Sequence, residues 1–211
     1  MYSQNDEEKV ITDFFNQKDP SSCNFIDIGA NDGKTFSNTR KLAELGWKGV
    51  LVDASPRAFA RLKELYRGKH GYYTYNLALT SYDGRIKLNE SDNLCSHDDI
   101  GLVSTIVADE MQRFSSITKY KQVDVACFTW STFYEAIPVK KKFEFISMDI
   151  EGAELFVLPE MDLNEMGTEL ICLEWNGKQD IRNQYESILK SLNFGSVRCI
   201  HVNGENVIYA R

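Results

Sequence analysis

The sequence predicts a doubly wound α/β fold: a mostly parallel, seven-stranded sheet with helices on both faces, closed by an antiparallel hairpin. Three observations lead there. Apolar runs of strand length alternate with segments of helical periodicity, the mark of βαβ units. The first strong run, Phe25-Ile26-Asp27-Ile28, empties into a turn of small residues, Gly29-Ala30-Asn31-Asp32-Gly33, as at the first corner of an open parallel sheet. The last two runs flank Asn203-Gly204, a hairpin signal, where a further parallel strand would need a crossover helix.

In chain order, residues 5–17 read as a short helix with Val10, Ile11, Phe14 and Phe15 on one face. Residues 24–28 form the first strand, and a helix is expected from the glycine turn to Leu45, stopped by Gly46. Residues 49–53 form the second strand. Ser55 then caps a helix with Pro56 in its first turn, and Gly68 ends it. Residues 72–79 read as a third strand, and the Asp83-Gly84 turn sends residues 85–88 back as an extra strand. Residues 90–121 are polar and interrupted, and are expected to form an insertion or lid. An extended run over 123–129 and a short helix over 131–137 follow. Residues 143–150 make a strong strand that leads into a helical turn or two ending near Pro159. Residues 170–175 make another strand, followed by a helix striped by Ile181, Tyr185, Ile188, Leu189 and Leu192. The hairpin over 196–202 and 206–209 closes the series.

A length of 211 residues suits a single α/β domain over 1–211, with 1–22 as an N-terminal helical segment. The formal net charge of -7 argues against nucleic acid as the main partner, because such proteins draw most of their affinity from a basic face. The acidic, polar start lacks the basic and apolar regions of a secretory signal, and no apolar run is long enough to span a bilayer. A cytoplasmic protein without membrane contact is expected. The five cysteines, Cys23, Cys95, Cys127, Cys172 and Cys199, contain no C-x-x-C pair and read as free thiols, mostly buried.

The residues with chemistry gather at predicted strand ends. Gly29 and Gly33 let the backbone pass close to a ligand, and Asp53 closes the second strand. Ligands of open α/β sheets bind beyond such strand ends, where an acid can accept both hydroxyls of a ribose. A phosphate loop fails by one residue, since only residues 30–32 separate Gly29 from Gly33-Lys34-Thr35. A dinucleotide fingerprint would need glycine where Asn31 and Lys34 stand. A nucleoside ligand without a pyrophosphate, such as S-adenosylmethionine, fits what is left. The site residues expected for it are Asp27, Gly29, Ala30, Asn31, Gly33 and Asp53, with Ala78 at the end of the third strand.

A second cluster is Phe145-Ile146-Ser147-Met148-Asp149-Ile150-Glu151-Gly152-Ala153-Glu154, in which a buried strand delivers Asp149 and Glu151 to its carboxyl end. A third is Glu174-Trp175-Asn176, where an acid ends an apolar strand, a costly placement unless it is paired or faces a cleft. Asp149 is the expected general base, with Glu151 next. Glu174, Asn176 and the loop residue His97 are expected to face the acceptor.

Residues 26–33, Asp53-Ala54-Ser55-Pro56 and Asp149-Ile150-Glu151-Gly152-Ala153-Glu154 together resemble the FkbM family of methyltransferases, from about Asn24 onward. The resemblance implies a class I methyltransferase fold of the Rossmann-like type, S-adenosyl-L-methionine as donor, and O-methylation of a hydroxyl on a sugar or natural product. It implies a small-molecule or glycan acceptor. The chain departs from many relatives in three places. Asp53-Ala54 stands for their Glu-Pro, Ser147 for a lysine, and Trp175-Asn176 follows Glu174 where a histidine is common. Two alternatives stay open. One is a non-catalytic module that binds S-adenosylmethionine or a nucleoside. The other is magnesium-assisted methylation, with Asp149, Glu174 and Asn176 as oxygen ligands.

Overall fold

The computed structural model describes residues 1–93, 101–138 and 142–211. Its strands are β1 (Asn24–Ile28), β2 (Lys48–Asp53), β3 (Tyr72–Asn76), β4 (Ala78–Leu79), β5 (Gly84–Ser91), β6 (Tyr120–Phe128), β7 (Phe145–Met148), β8 (Leu170–Glu174), β9 (Arg198–Val202) and β10 (Asn206–Ala210). Its α-helices are α1 (Glu7–Phe14), α2 (Arg40–Leu45), α3 (Pro56–Leu65), α4 (Ala108–Phe114), α5 (Trp130–Ala136), α6 (Glu154–Val157) and α7 (Gln179–Ser191).

Seven strands form one sheet in the order β3-β2-β1-β7-β8-β10-β9. The first five are parallel, and β10 and β9 run antiparallel. Strand side chains alternate between two apolar layers. Ile26, Ile28, Val50 and Val52 face α5 and α7, while Phe25, Leu51 and Phe145 face α1, α2 and α3. Burial on both faces explains why these strands read as near-continuous apolar runs. After β1 the chain builds β2 and β3 on one side and later β7 and β8 on the other. The order therefore reverses between β1 and β7, and the crevice beyond their carboxyl ends is the place for a ligand.

Local chemistry fixes several boundaries. Ser55 caps α3 by accepting a hydrogen bond from the Ala58 amide at 3.2 Å, with Pro56 in the first turn. Gly46 ends α2 in the left-handed region at φ 110. The helix expected directly after the glycine turn is delayed to Arg40. Asp32 accepts from the Lys34 and Thr35 amides, and Ser37 accepts from those of Thr39 and Arg40, so residues 32–39 bond locally instead of coiling.

The third strand also differs from expectation. It breaks at Leu77: β3 pairs with β2, while β4 joins a separate three-stranded sheet ordered β4-β6-β5. The extra strand does not fold back on the third one. It runs from Gly84 to Ser91 and pairs antiparallel with β6. That long-range pairing takes the end of β5 and the start of β6 out of the region expected to be an insertion. The segment after Gly101 and helix α4 turn back toward the main sheet, and the Thr105 hydroxyl donates to the Glu151 carbonyl at 2.8 Å.

The N-terminal segment is tied in by Glu7, which is fully buried. Its carboxylate accepts from the side-chain amides of Asn203 (2.7 Å) and Asn206 (2.9 Å) and from the Asn5 amide (2.9 Å). Cys23, Cys127 and Cys172 are free and buried, whereas Cys199 is exposed, because β9 is the edge strand of the sheet. Cys95 lies outside the described residues. Among the described residues, no helix is long and apolar enough to cross a membrane.

Candidate active site

A cavity of about 270 Å³ opens over the carboxyl ends of β1, β2, β7 and β8. Its floor starts at Gly29. With φ 88, this residue lies so close to the next strand that a Cβ here would sit 1.6 Å from the Asp149 carbonyl oxygen. The Gly29 and Ala30 amides both donate to the Val52 carbonyl at 2.9 Å, which locks the turn onto β2. Asn31 follows at φ 48, a left-handed conformation that asparagine tolerates.

Asp53 stands beside this turn and is nearly buried. One of its oxygens accepts from the Asn31 amide at 2.7 Å and the other from the Ser55 amide at 2.8 Å. Burial pushes its carboxyl up to about 7, and the charges of Glu90 and Asp32 add to that, against the pull of the two amides. Asp27 is also raised to about 7 by burial, although the Thr39 hydroxyl donates to it at 2.5 Å. Each Asp53 oxygen keeps a second lone pair, so the residue is both a brace for the turn and an acceptor facing the cavity.

The ends of β7 and β8 carry a different arrangement. Asp149 and Glu174 each bring a carboxylate oxygen within 4.8 Å of the other and of Glu154, so their charges repel at close range. Burial raises Asp149 to about 7, helped by the nearby charges of Asp27 and Asp53. Burial pushes Glu174 and Glu151 well above the carboxylate range, with Asp149 the next contributor in each case. Glu154 is raised to about 7 by burial, yet it accepts from the Ile150 amide at 2.7 Å and the Gly152 amide at 3.1 Å. It therefore ties the turn together from within. Glu151 occupies a left-handed conformation at φ 52, is only 6% exposed, and its Oε2 has no hydrogen-bond partner among the described residues.

Of the residues singled out from the sequence, Asp27, Gly29, Ala30, Asn31, Asp53, Ala78, Asp149, Glu151, Glu174 and Asn176 all line this one cavity. Gly33 does not. At φ 73 it sits where a Cβ would meet the Leu62 side chain at 2.7 Å, so it serves the packing of the turn on α3. His97 lies outside the described residues. Ala78 reaches the cavity from β4, not from the end of a main-sheet strand.

The sequence reading missed Phe36, Asn38, Arg113, Glu205 and Asn206, which also line the cavity. Arg113 projects from α4 and pairs with Glu110 at 3.3 Å. Nothing local marks these residues. The Asn203-Gly204 turn signal lay beside two of them but spoke only for the hairpin.

Five parallel strands, a final antiparallel pair and a cavity over the first glycine turn define the class I methyltransferase fold. A family model described as the methyltransferase FkbM domain matches residues 27–195, and the chain belongs to the FkbM methyltransferase family. No curated protein sequence matches it significantly. Among solved structures it is similar to a methyltransferase FkbM from Methylobacillus flagellatus KT, at 12% identity and a TM-score of 0.56. That match covers 91% of this chain and 44% of the other, so the chain spans less than half of that protein's length. A ribosomal protein L11 methylase from Lactobacillus delbrueckii subsp. bulgaricus matches at 12% identity and a TM-score of 0.51, over 97% of this chain and 77% of that one. At such identities these likenesses concern the fold.

Proposed function

We propose that the protein transfers the methyl group of S-adenosyl-L-methionine to a hydroxyl of a sugar or natural-product acceptor in the cytoplasm. The observation that carries the reading is the juxtaposition, in one cavity, of a glycine turn braced by Asp53 and a group of acids around Asp149. Asp53 accepts from the ribose hydroxyls with its free lone pairs. The backbone of Gly29, Ala30 and Asn31 follows the donor's chain, Asp27 lies behind it, and Ala78 packs against the adenine side. The sulfonium donor is already activated, so the protein's main task is to align nucleophile and methyl.

A hydroxyl must lose its proton as it attacks, and a base raised to about 7 is suited to take it near neutral pH. Asp149 holds that place, with Glu151 next to it. Glu174 and Asn176 face the acceptor, and the described residues 101–114 border it, within a single domain over 1–211.

The test is calorimetric titration with S-adenosylmethionine, S-adenosylhomocysteine, NAD and ATP. The first two are expected to bind and the last two not to. Tight ATP binding with no response to S-adenosylmethionine would overturn the reading. Labelled donor incubated with extracts and a panel of glycosides and polyols should mark hydroxyl groups. Label found only on amines or carbon would overturn the O-methylation.

A further inference from the structure

The acids at the ends of β7 and β8 hold a geometry that acid–base work alone does not require. Asp149, Glu154 and Glu174 come from three separate elements, yet each offers an oxygen within 4.8 Å of the other two. Three oxygens mutually within 4.8 Å always leave a point no more than about 2.8 Å from each of them, against metal–oxygen distances of about 2.3–2.6 Å for calcium and about 2.0–2.1 Å for magnesium. The three carboxylates therefore come within a few tenths of an ångström of one calcium coordination sphere, and reach magnesium or manganese with shifts of up to about 0.8 Å. The donors are all hard oxygens, with no histidine or cysteine in the group, which disfavours zinc and copper.

An independent observation points the same way. Glu151 Oε2 is buried without a hydrogen-bond partner among the described residues, on a side chain only 6% exposed that lines the same cavity. Asp149 and Glu154 are the charges that weigh most on it, and Asp149 and Glu174 line the same cavity, so its open oxygen belongs to the surroundings of the cluster. A buried, unsatisfied carboxylate oxygen is costly, and it is stabilised when a metal or a metal-bound water comes within reach. Charge balance agrees. Asp27, Asp53, Asp149, Glu151, Glu174 and Glu205 line the cavity, and Arg113 is the one basic side chain among its described lining residues.

We propose that Asp149, Glu174 and Glu154 form a site for a hard divalent cation, with Glu151 beside it as acceptor for a metal-bound water or for the substrate hydroxyl. Glu154 is held in place for this by the Ile150 and Gly152 amides. The β8 end is steadied by the Tyr185 hydroxyl, which donates to the Glu174 carbonyl at 2.7 Å. A cation here lowers the pKa of a coordinated hydroxyl. Asp149 is then a ligand, and Glu151 is left as the base. The site is independent of the identity of donor and acceptor.

The test is titration of the chelator-treated full chain with calcium, magnesium or manganese chloride, in the absence of donor, followed by calorimetry and, for manganese, by electron paramagnetic resonance. One saturable site is expected, with a dissociation constant on the order of 10⁻⁴ M or tighter for at least one of the ions. Glu174→Gln and Asp149→Asn should each weaken it at least about tenfold, the loss of one charged ligand. Two variants guard against one that does not fold, and circular dichroism checks both. No saturable response to any of the three ions in the wild-type chain would overturn the proposal. Binding that persists unchanged in both folded variants would also overturn it, since the ion would then sit elsewhere. Failure of metal binding alongside intact S-adenosylmethionine binding counts against this site and leaves the methyltransferase reading standing.

Discussion

The two halves of the cavity handle buried charge in opposite ways. At the ends of β1 and β2, the acids are satisfied by the protein itself. Asp53 takes two backbone amides, Asp32 takes two more, and Asp27 takes the Thr39 hydroxyl. At the ends of β7 and β8, Asp149, Glu154 and Glu174 crowd within 4.8 Å, and Glu151 keeps an oxygen with no partner among the described residues. The first half is preformed, because its charges are spent on holding a turn. The second half is completed only by a proton, a cation or a substrate, because like charges in a dry site cannot all ionise. Chemistry is expected in the half that is incomplete, and binding in the half that is not.

The contrast can be broken most sharply at Asp149. Asp149→Asn keeps the shape and removes the carboxylate, whether it serves as the base or, with a cation bound, as its ligand. We expect kcat on the true acceptor to fall by about 10²–10⁴-fold while donor affinity stays within a few fold. A folded variant with near-normal kcat would move the reaction away from this half of the cavity.

Gly29→Ala tests how tightly the halves are joined, since the new Cβ would overlap the Asp149 carbonyl oxygen in a left-handed conformation. Denaturant unfolding should show a loss on the order of 3 kcal/mol or more. A neutral result would mean that β1 and β7 can part without cost.

Asp53→Ala probes the preformed half. It removes a ribose acceptor and also frees the Asn31 and Ser55 amides, so the donor's apparent KM should rise about 10–100-fold, with kcat closer to normal. Equal falls in kcat and kcat/KM would place Asp53 in the chemical step.

The smallest effect expected is a slope of stability with pH. Asp27, Asp53, Asp149 and Glu154 are each raised to about 7, so the folded chain holds protons that the unfolded chain releases at ordinary carboxylate values. Their contribution is full below the unfolded values, and is lost as pH rises toward and through 7. Unfolding free energy should therefore decline between about pH 5 and pH 8, and Asp149→Asn should flatten that decline. A rise over the same interval would contradict the electrostatic picture of the whole cavity.

Legibility followed the range of the interactions. The Ser55-Pro56 helix start, the Gly46 stop and the strands over residues 24–28 and 170–174 rest on neighbouring residues, and were readable as such. Errors came where a distant partner decides. The pairing of β5 with β6 joins residues from 29 to 43 positions apart, such as Ser91 with Tyr120 and Gly84 with Cys127, and no turn signal encodes it. The break at Leu77 exists because β4 finds β6. In the site, acids at strand ends were visible, since an acid ending an apolar run is costly without a purpose. Arg113 was not visible, because its place depends on α4 lying over the β7 turn.

By itself the sequence determined the sheet's alternating plan, the glycine turn and the acids at its rim, because backbone conformation and side-chain periodicity are local properties. The tertiary structure alone decided which of those acids are braced by backbone amides and which keep an oxygen unmet. Glu154 looked much like Glu151 in the chain, three residues away in the same motif. Folding gives Glu154 two backbone amides and leaves an oxygen of Glu151 with no partner among the described residues. Satisfaction of a buried charge depends on which donors arrive from other parts of the chain, and only the packed structure fixes that.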